Sequence, residues 1–102
     1  VICSDDREIN NRNNKCKETK ASVNFENCSF DENYGSDRLE VIWTDTEYTP
    51  DQNTFYYARA IENPTCRWST YDSIRIDEKP AKNYPKIMRE MAWSSPIWIK
   101  NN

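Results

Sequence analysis

Histidine is absent from this chain of 102 residues. That removes the commonest general base, the Ser–His and Cys–His dyads, and most transition-metal sites. No Cys-x-x-Cys pair occurs either, so the cysteines do not spell a zinc site. No apolar run approaches the roughly 20 residues needed to cross a bilayer. A basic stripe is also lacking: net charge is -3, acidic and basic residues are interspersed, and nucleic acid is excluded as an expected partner. Glycine occurs once, at Gly35, and there is no internal repeat, coiled-coil heptad or proline-rich tract.

What remains is polar and aromatic. With 36% hydrophobic and 30% charged residues, and a mean hydropathy of -1.05, composition alone leans toward disorder. Against that stand 4 Trp, 6 Tyr and 3 Phe. Each such ring can bury about 150–250 Å². The reading is one ordered domain over residues 1–102 with an aromatic core and a polar shell. At this size only about two-thirds of the unfolded surface is buried, so cross-links are expected to matter. Cys3, Cys16, Cys28 and Cys66 make an even set and predict two disulfides, hence an oxidising setting, periplasmic or extracellular. Four cysteines allow three pairings. The pairing expected is Cys3–Cys16, closing a polar loop, with Cys28–Cys66 tying two core segments. A start at Val1, without Met or leader, fits a removed leader, a proteolytic cut or a domain excerpt.

Several short strands with frequent turns are predicted. Val1–Ile2–Cys3–Ser4 reads as the end of a strand, and 5–20 as a polar loop. Ala21–Phe25 alternates apolar and polar, as a half-buried strand does. After a turn at Gly35, Leu39, Val41 and Trp43 share one face of a further strand. Phe55–Ile61 is the strongest strand signal, stopping at Asn63–Pro64. Residues 66–76 read as a covering loop or short strand. The last element, 88–100, begins with helical character and ends as a strand whose Pro96 suits an edge or a bulge. The predicted fold class is all-β, an antiparallel, immunoglobulin-like β-sandwich with long polar loops.

Candidate site residues are few. Asp5–Asp6, Asp31–Glu32 and Asp77–Glu78 are carboxylate pairs without the spacing of a calcium loop, and read as solvated turns. Arg59 shares a predicted strand face with Phe55 and Tyr57, which suits cation–π packing, a carboxylate partner or an anionic ligand. The segment Glu62–Trp68 follows the best strand and is stiffened by Pro64; it can hold Arg67 for bidentate recognition of phosphate or carboxylate. The plainer reading makes it a corner, with Arg67 bridged to Glu62 or Asp72 and Trp68 plugging the core. Trp93 and Trp98 are expected to fill the core and its edge. Asn27–Cys28–Ser29 matches a glycosylation sequon.

Three blocks carry a family resemblance: Leu39-Glu-Val-Ile-Trp-Thr-Asp45, Phe55-Tyr-Tyr-Ala-Arg-Ala-Ile-Glu-Asn-Pro-Thr-Cys-Arg-Trp-Ser-Thr70 and Arg89-Glu-Met-Ala-Trp-Ser-Ser-Pro-Ile-Trp98. Together they resemble the C-terminal end of the domain-of-unknown-function family numbered 3604, which looks related to PHP-type metal-dependent hydrolases. The resemblance implies a longer protein whose other part holds a divalent metal through His and Asp/Glu ligands. This chain lacks histidine, so no catalytic residue, metal ligand or cofactor is expected in it. The function implied is a non-catalytic C-terminal domain or subunit that caps and stabilises the metallohydrolase. Its partner is that larger metal-binding chain, with Arg67, Arg59, Glu62 and Trp68 as candidates for the active-site rim. The alternative is a stand-alone exported binding or assembly module for a glycan or protein.

Overall fold

The structure, a computed structural model, describes residues 1–4 and 6–101. The polar N-terminal run folds into a short hairpin of β1 (Ile9–Asn10) and β2 (Lys15–Cys16), with Ile9 opposite Cys16 and Asn10 opposite Lys15. Asparagines make the reversal possible. Asn14 adopts a left-handed φ of 52°, which asparagine tolerates better than most residues. The side-chain oxygens of Asn10 and Asn13 accept from the N–H groups of Arg12 and Lys15 at 3.0 and 3.1 Å. The Cys3–Cys16 disulfide closes this loop, as expected. No strand forms at residues 1–4, and the strand expected at Ala21–Phe25 contracts to a single bridge between Val23 and Phe30. Its chain turns back at once: Cys28 N–H donates to Asn24 O at 2.7 Å.

Most of the remaining structure is one long antiparallel ribbon. Its first side holds β3 (Thr54–Tyr56), β4 (Arg59–Ile61) and β5 (Thr65–Cys66). The returning side holds β6 (Ile87–Met88), β7 (Met91–Trp93) and β8 (Ile97–Ile99). The pairs are β3–β8, β4–β7 and β5–β6. Between Tyr56↔Ile97 and Arg59↔Trp93, the first side spends residues 57–58 and the second spends 94–96. Between Ile61↔Met91 and Thr65↔Met88, the first side spends 62–64 and the second 89–90. Each gap is a one-residue bulge, on opposite sides, so the second restores the register that the first displaced. A proline sits in each, Pro96 and Pro64, where a missing N–H costs the ladder least. The strand predicted at Phe55–Ile61 is thus present but broken at 57–58. The helical start expected at Met88 is strand instead.

The predicted loop or strand at 66–76 is helical: α1 spans Trp68–Arg75. Its end forms a paired cap, with Glu78 N–H donating to Ser73 O at 2.9 Å and Asp77 N–H to Ile74 O at 3.3 Å. The left-handed position of that cap is Asp77, φ 52°, and not a glycine. The usual glycine stop signal is therefore missing from the sequence, which is why the helix was not legible there.

Very little is buried. Among the described residues only Cys28 and Cys66 (each 3% exposed), Ser4 and Thr70 (2%) are sealed from solvent. The Cys28–Cys66 disulfide, 38 residues apart in sequence, joins the N-terminal loops to the ribbon at the start of α1. The strand predicted at Leu39–Thr44 has no sheet partner, and Ile42 is 96% exposed. The aromatic core read from composition does not assemble: Phe55, Trp93 and Trp98 are all exposed. The radius of gyration is 18.7 Å, against about 13 Å for a compact chain of this length. Among the described residues the chain is strand-rich and antiparallel, with small two-stranded sheets, one short helix and two disulfides.

Two stability predictions follow from this economy. Loop-closure entropy makes the Cys28–Cys66 link worth about 4 kcal/mol and Cys3–Cys16 about 3 kcal/mol. Paired Cys→Ser variants should therefore rank in that order in urea unfolding. Gly35 has φ +97°, and a Cβ there would lie 2.8 Å from Asn63 Nδ2. Gly35→Ala should cost about 1 kcal/mol or more, measured the same way.

Candidate functional site

The segment Glu62–Trp68 lies where three parts of the chain meet. Glu62 occupies the second bulge and does the work of a missing ladder partner. Its N–H donates to Glu90 O at 3.1 Å, and its Oε1 accepts from Glu90 N–H at 3.0 Å and from Thr65 Oγ1 at 3.3 Å. Arg89 Nε donates to the Glu62 carbonyl at 2.8 Å. Asn63, next in the bulge, reaches the other way. Its Nδ2 donates to Tyr34 O at 2.9 Å and its Oδ1 accepts from Thr19 Oγ1 at 3.3 Å. The bulge thereby turns two polar side chains into clamps, one along the ribbon and one onto the N-terminal loops.

Arg67 N–H continues the ladder, donating to Lys86 O at 2.9 Å, and the helix starts at the next residue. Thr70 Oγ1 donates to the same carbonyl at 2.7 Å, which explains why a buried hydroxyl is tolerated. The Arg67 guanidinium lies over the Tyr84 ring at 5.4 Å, and Lys86 Nζ lies over Phe25 at 5.1 Å. An open depression of about 260 Å³ beside them is lined by Phe25, Thr70, Ser73, Ile74 and Lys86, among others.

The predicted site residues are therefore divided. Glu62 lies in the bulge and Arg67 at the helix start, and the ion pair expected of Arg67 is not formed among the described residues: Glu62 is engaged by the bulge, and Asp72 pairs with Arg75 at 4.0 Å. Trp68 does not plug a core; it is 66% exposed. Arg59 sits further along the ribbon opposite Trp93. The cation–π contacts fall to Arg67 and Lys86 because their partner rings come from the helix–ribbon connection and the N-terminal loop, which sequence spacing does not bring together. The clamp role of Asn63 has one sequence signal, its place before Pro64 where the predicted strand stops.

The carboxylate pairs are structural where described. Asp6 Oδ1 accepts from Gly35 N–H at 3.0 Å, and a Ser4 hydrogen bond helps hold its carboxyl below the ordinary value. Asp31 Oδ1 accepts from Asn33 N–H, and Asp77 belongs to the helix end. Asp5 lies outside the described residues. Among the described residues no three acidic or thiol groups converge in a metal-binding arrangement.

Over residues 1–101 the sequence matches the family described as Protein of unknown function (DUF3604). The chain belongs to that family. No curated protein and no solved structure matches it. In this DUF3604 chain the two disulfides fit an oxidising, non-cytoplasmic setting. No described helix is long and apolar enough to cross a membrane.

One polar pair has a measurable titration. Tyr56 Oη donates to Asp45 Oδ2 at 2.7 Å. That bond raises the tyrosine to about 12 and lowers the aspartate, which also accepts from Glu47 N–H. Because the phenol is raised, its stabilisation is present below pH 10 and is lost as pH rises through about 12. Because the carboxyl is depressed, its share is present above the ordinary aspartate value and is lost as pH falls through the lowered one. In Asp45→Asn, spectrophotometric titration should show the raised tyrosine moving down toward the ordinary value near 10.

Proposed function

We propose that this chain is the non-catalytic C-terminal part that caps and stabilises a PHP-like metal-dependent hydrolase. The observation that carries this reading is area. The chain exposes 9279 Å², whereas a compact monomer of its mass exposes about 6,000 Å². The excess, about 3,000 Å², is more than the roughly 1,000–2,500 Å² that one side of an obligate interface covers, so the chain has ample surface for one. It is also apolar: Ile42, Trp43, Trp93, Ile97 and Trp98 are each more than half exposed. A two-stranded ribbon is marginal in water and needs a covering layer.

On this reading the larger, metal-binding part of the protein supplies that layer and completes an immunoglobulin-like sandwich with the ribbon. The divalent metal and its His and carboxylate ligands belong to that part. Glu62, Arg67, Trp68 and Arg59 would stand along the seam, and their chemistry there is positioning or anion binding at the rim. The compartment is periplasmic or extracellular.

A second reading has its own observation. The Phe55 and Tyr57 rings lie within 14° of parallel, and Trp98 sits 5.1 Å from Phe55. Exposed rings so placed suit stacking against a glycan, as a stand-alone exported binding module would use them.

Native mass spectrometry of the source material, with peptide mapping, separates the two. The capping reading expects a larger, histidine-rich chain in the same complex, and dye-detected apolar surface on the isolated chain that disappears in the complex. A chain that flies alone, shows no such surface and retains a glycan would reverse the order of the readings.

A further inference from the structure

The segment Leu39–Thr44 has the alternation of a strand and yet no partner, while the ribbon has an open edge beside it. Trp43 meets Tyr56 edge to face at 5.9 Å, and Asp45 holds the Tyr56 hydroxyl. The ring contact makes Trp43 a natural partner for Tyr56, and Asp45, two residues on, shares its face. If Trp43 lies opposite Tyr56 in an antiparallel hairpin, Val41 falls opposite Ala58 and Leu39 opposite Ala60.

The hydrogen-bonding directions agree with that register. Ala58 N–H donates to Ser94 Oγ and its carbonyl accepts from Ser94 N–H, both at 2.9 Å, so Ala58 points into the ribbon. Glu62 N–H points the same way, to Glu90 O. Backbone groups alternate in direction along a strand, so those of Tyr57 and Arg59 point to the outer edge. In the register set by Trp43, their opposite residues are Ile42 and Glu40. Trp43↔Tyr56 and Val41↔Ala58 then become the non-hydrogen-bonded pairs, whose side chains approach most closely, as the ring contact between Trp43 and Tyr56 requires. Composition agrees as well. Ala58 and Ala60 leave room for Val41 and Leu39 on that face, whereas the opposite edge of the ribbon is interrupted by the bulge and Pro96 and suits no added strand.

We propose that Leu39–Thr44 is the third strand of this sheet, zipping onto the Phe55–Ile61 edge in that register from the contact at Trp43 that the structure already holds. The sheet order is then 39–44, 54–61, 91–99, with Glu40 and Ile42 exchanging hydrogen bonds with Arg59 and Tyr57. The inference concerns this chain alone; the added strand removes only part of the exposed area on which the capping reading draws, and leaves Trp93, Ile97 and Trp98 to it.

Amide hydrogen exchange and cross-strand Hα–Hα contacts, measured by NMR on the full chain, test it. The amides of Glu40, Ile42, Tyr57 and Arg59 should exchange about tenfold or more slower than those of Val41 and Trp43. Hα contacts should join Trp43 to Tyr56 and Val41 to Ala58. Ile42→Pro deletes a donor that only this ladder uses and should return Tyr57 and Arg59 to fast exchange, whereas Ile42→Thr should not. Equal exchange across 39–44, or Tyr57 and Arg59 remaining protected in Ile42→Pro, overturns the proposal.

Discussion

The Cys28–Cys66 disulfide is the constraint on which the rest of this structure hangs. It lies among the very few described groups sealed from solvent, and it joins the N-terminal loops to the ribbon, between which no ladder runs among the described residues. A hydrophobic core normally fixes such a relation through many weak contacts spread over a domain. Here the described core is a bridge, a threonine and a serine, so the disulfide, helped by the Asn63 hydrogen bonds, carries most of the order between the loops and the ribbon. Its placement is economical. Cys66 ends the ribbon's first side one residue before the α1 cap at Arg67, and Asn63, three residues earlier, holds the same loops by hydrogen bonds.

The ribbon that the bridge anchors has a different logic. Its two bulges offset each other, which keeps a long pairing in register while bending it twice. Both bulges use side chains to replace backbone partners, Ser94 Oγ in one and the Glu62 carboxylate in the other. These side-chain contacts keep the ladder satisfied through its irregularities, but a two-stranded ribbon still lacks a layer beneath it. It also exposes two faces and an edge, and these are the surfaces that the capping role and the third strand would cover.

Much of the candidate site could be read from the residues and some could not. Phe55–Ile61 and the break at Asn63–Pro64 were visible because aromatic and β-branched residues followed by proline have a local physical meaning. The significance of Glu62 was visible only as a position; its task as a ladder acceptor depends on Glu90, far along the chain. Arg67 was expected to pair with an acid and instead lies on Tyr84, because a helix starts at Trp68 and the chain returns through 84–86. That helix ends on an aspartate in a conformation usually given to glycine, so the stop signal was not in the composition.

By itself the sequence determined an even cysteine set that calls for two disulfides, the strand-rich class, the family and the absence of histidine chemistry. Each follows from residue identity or short-range pattern. Only the tertiary structure decided which of the three cysteine pairings forms, that the aromatics stand outside instead of forming a core, and that the long strand is bulged. It also decided which residues hold the corner together. Those outcomes depend on what a side chain meets across the fold, and alternation along a strand gives a face to each residue without saying what covers it.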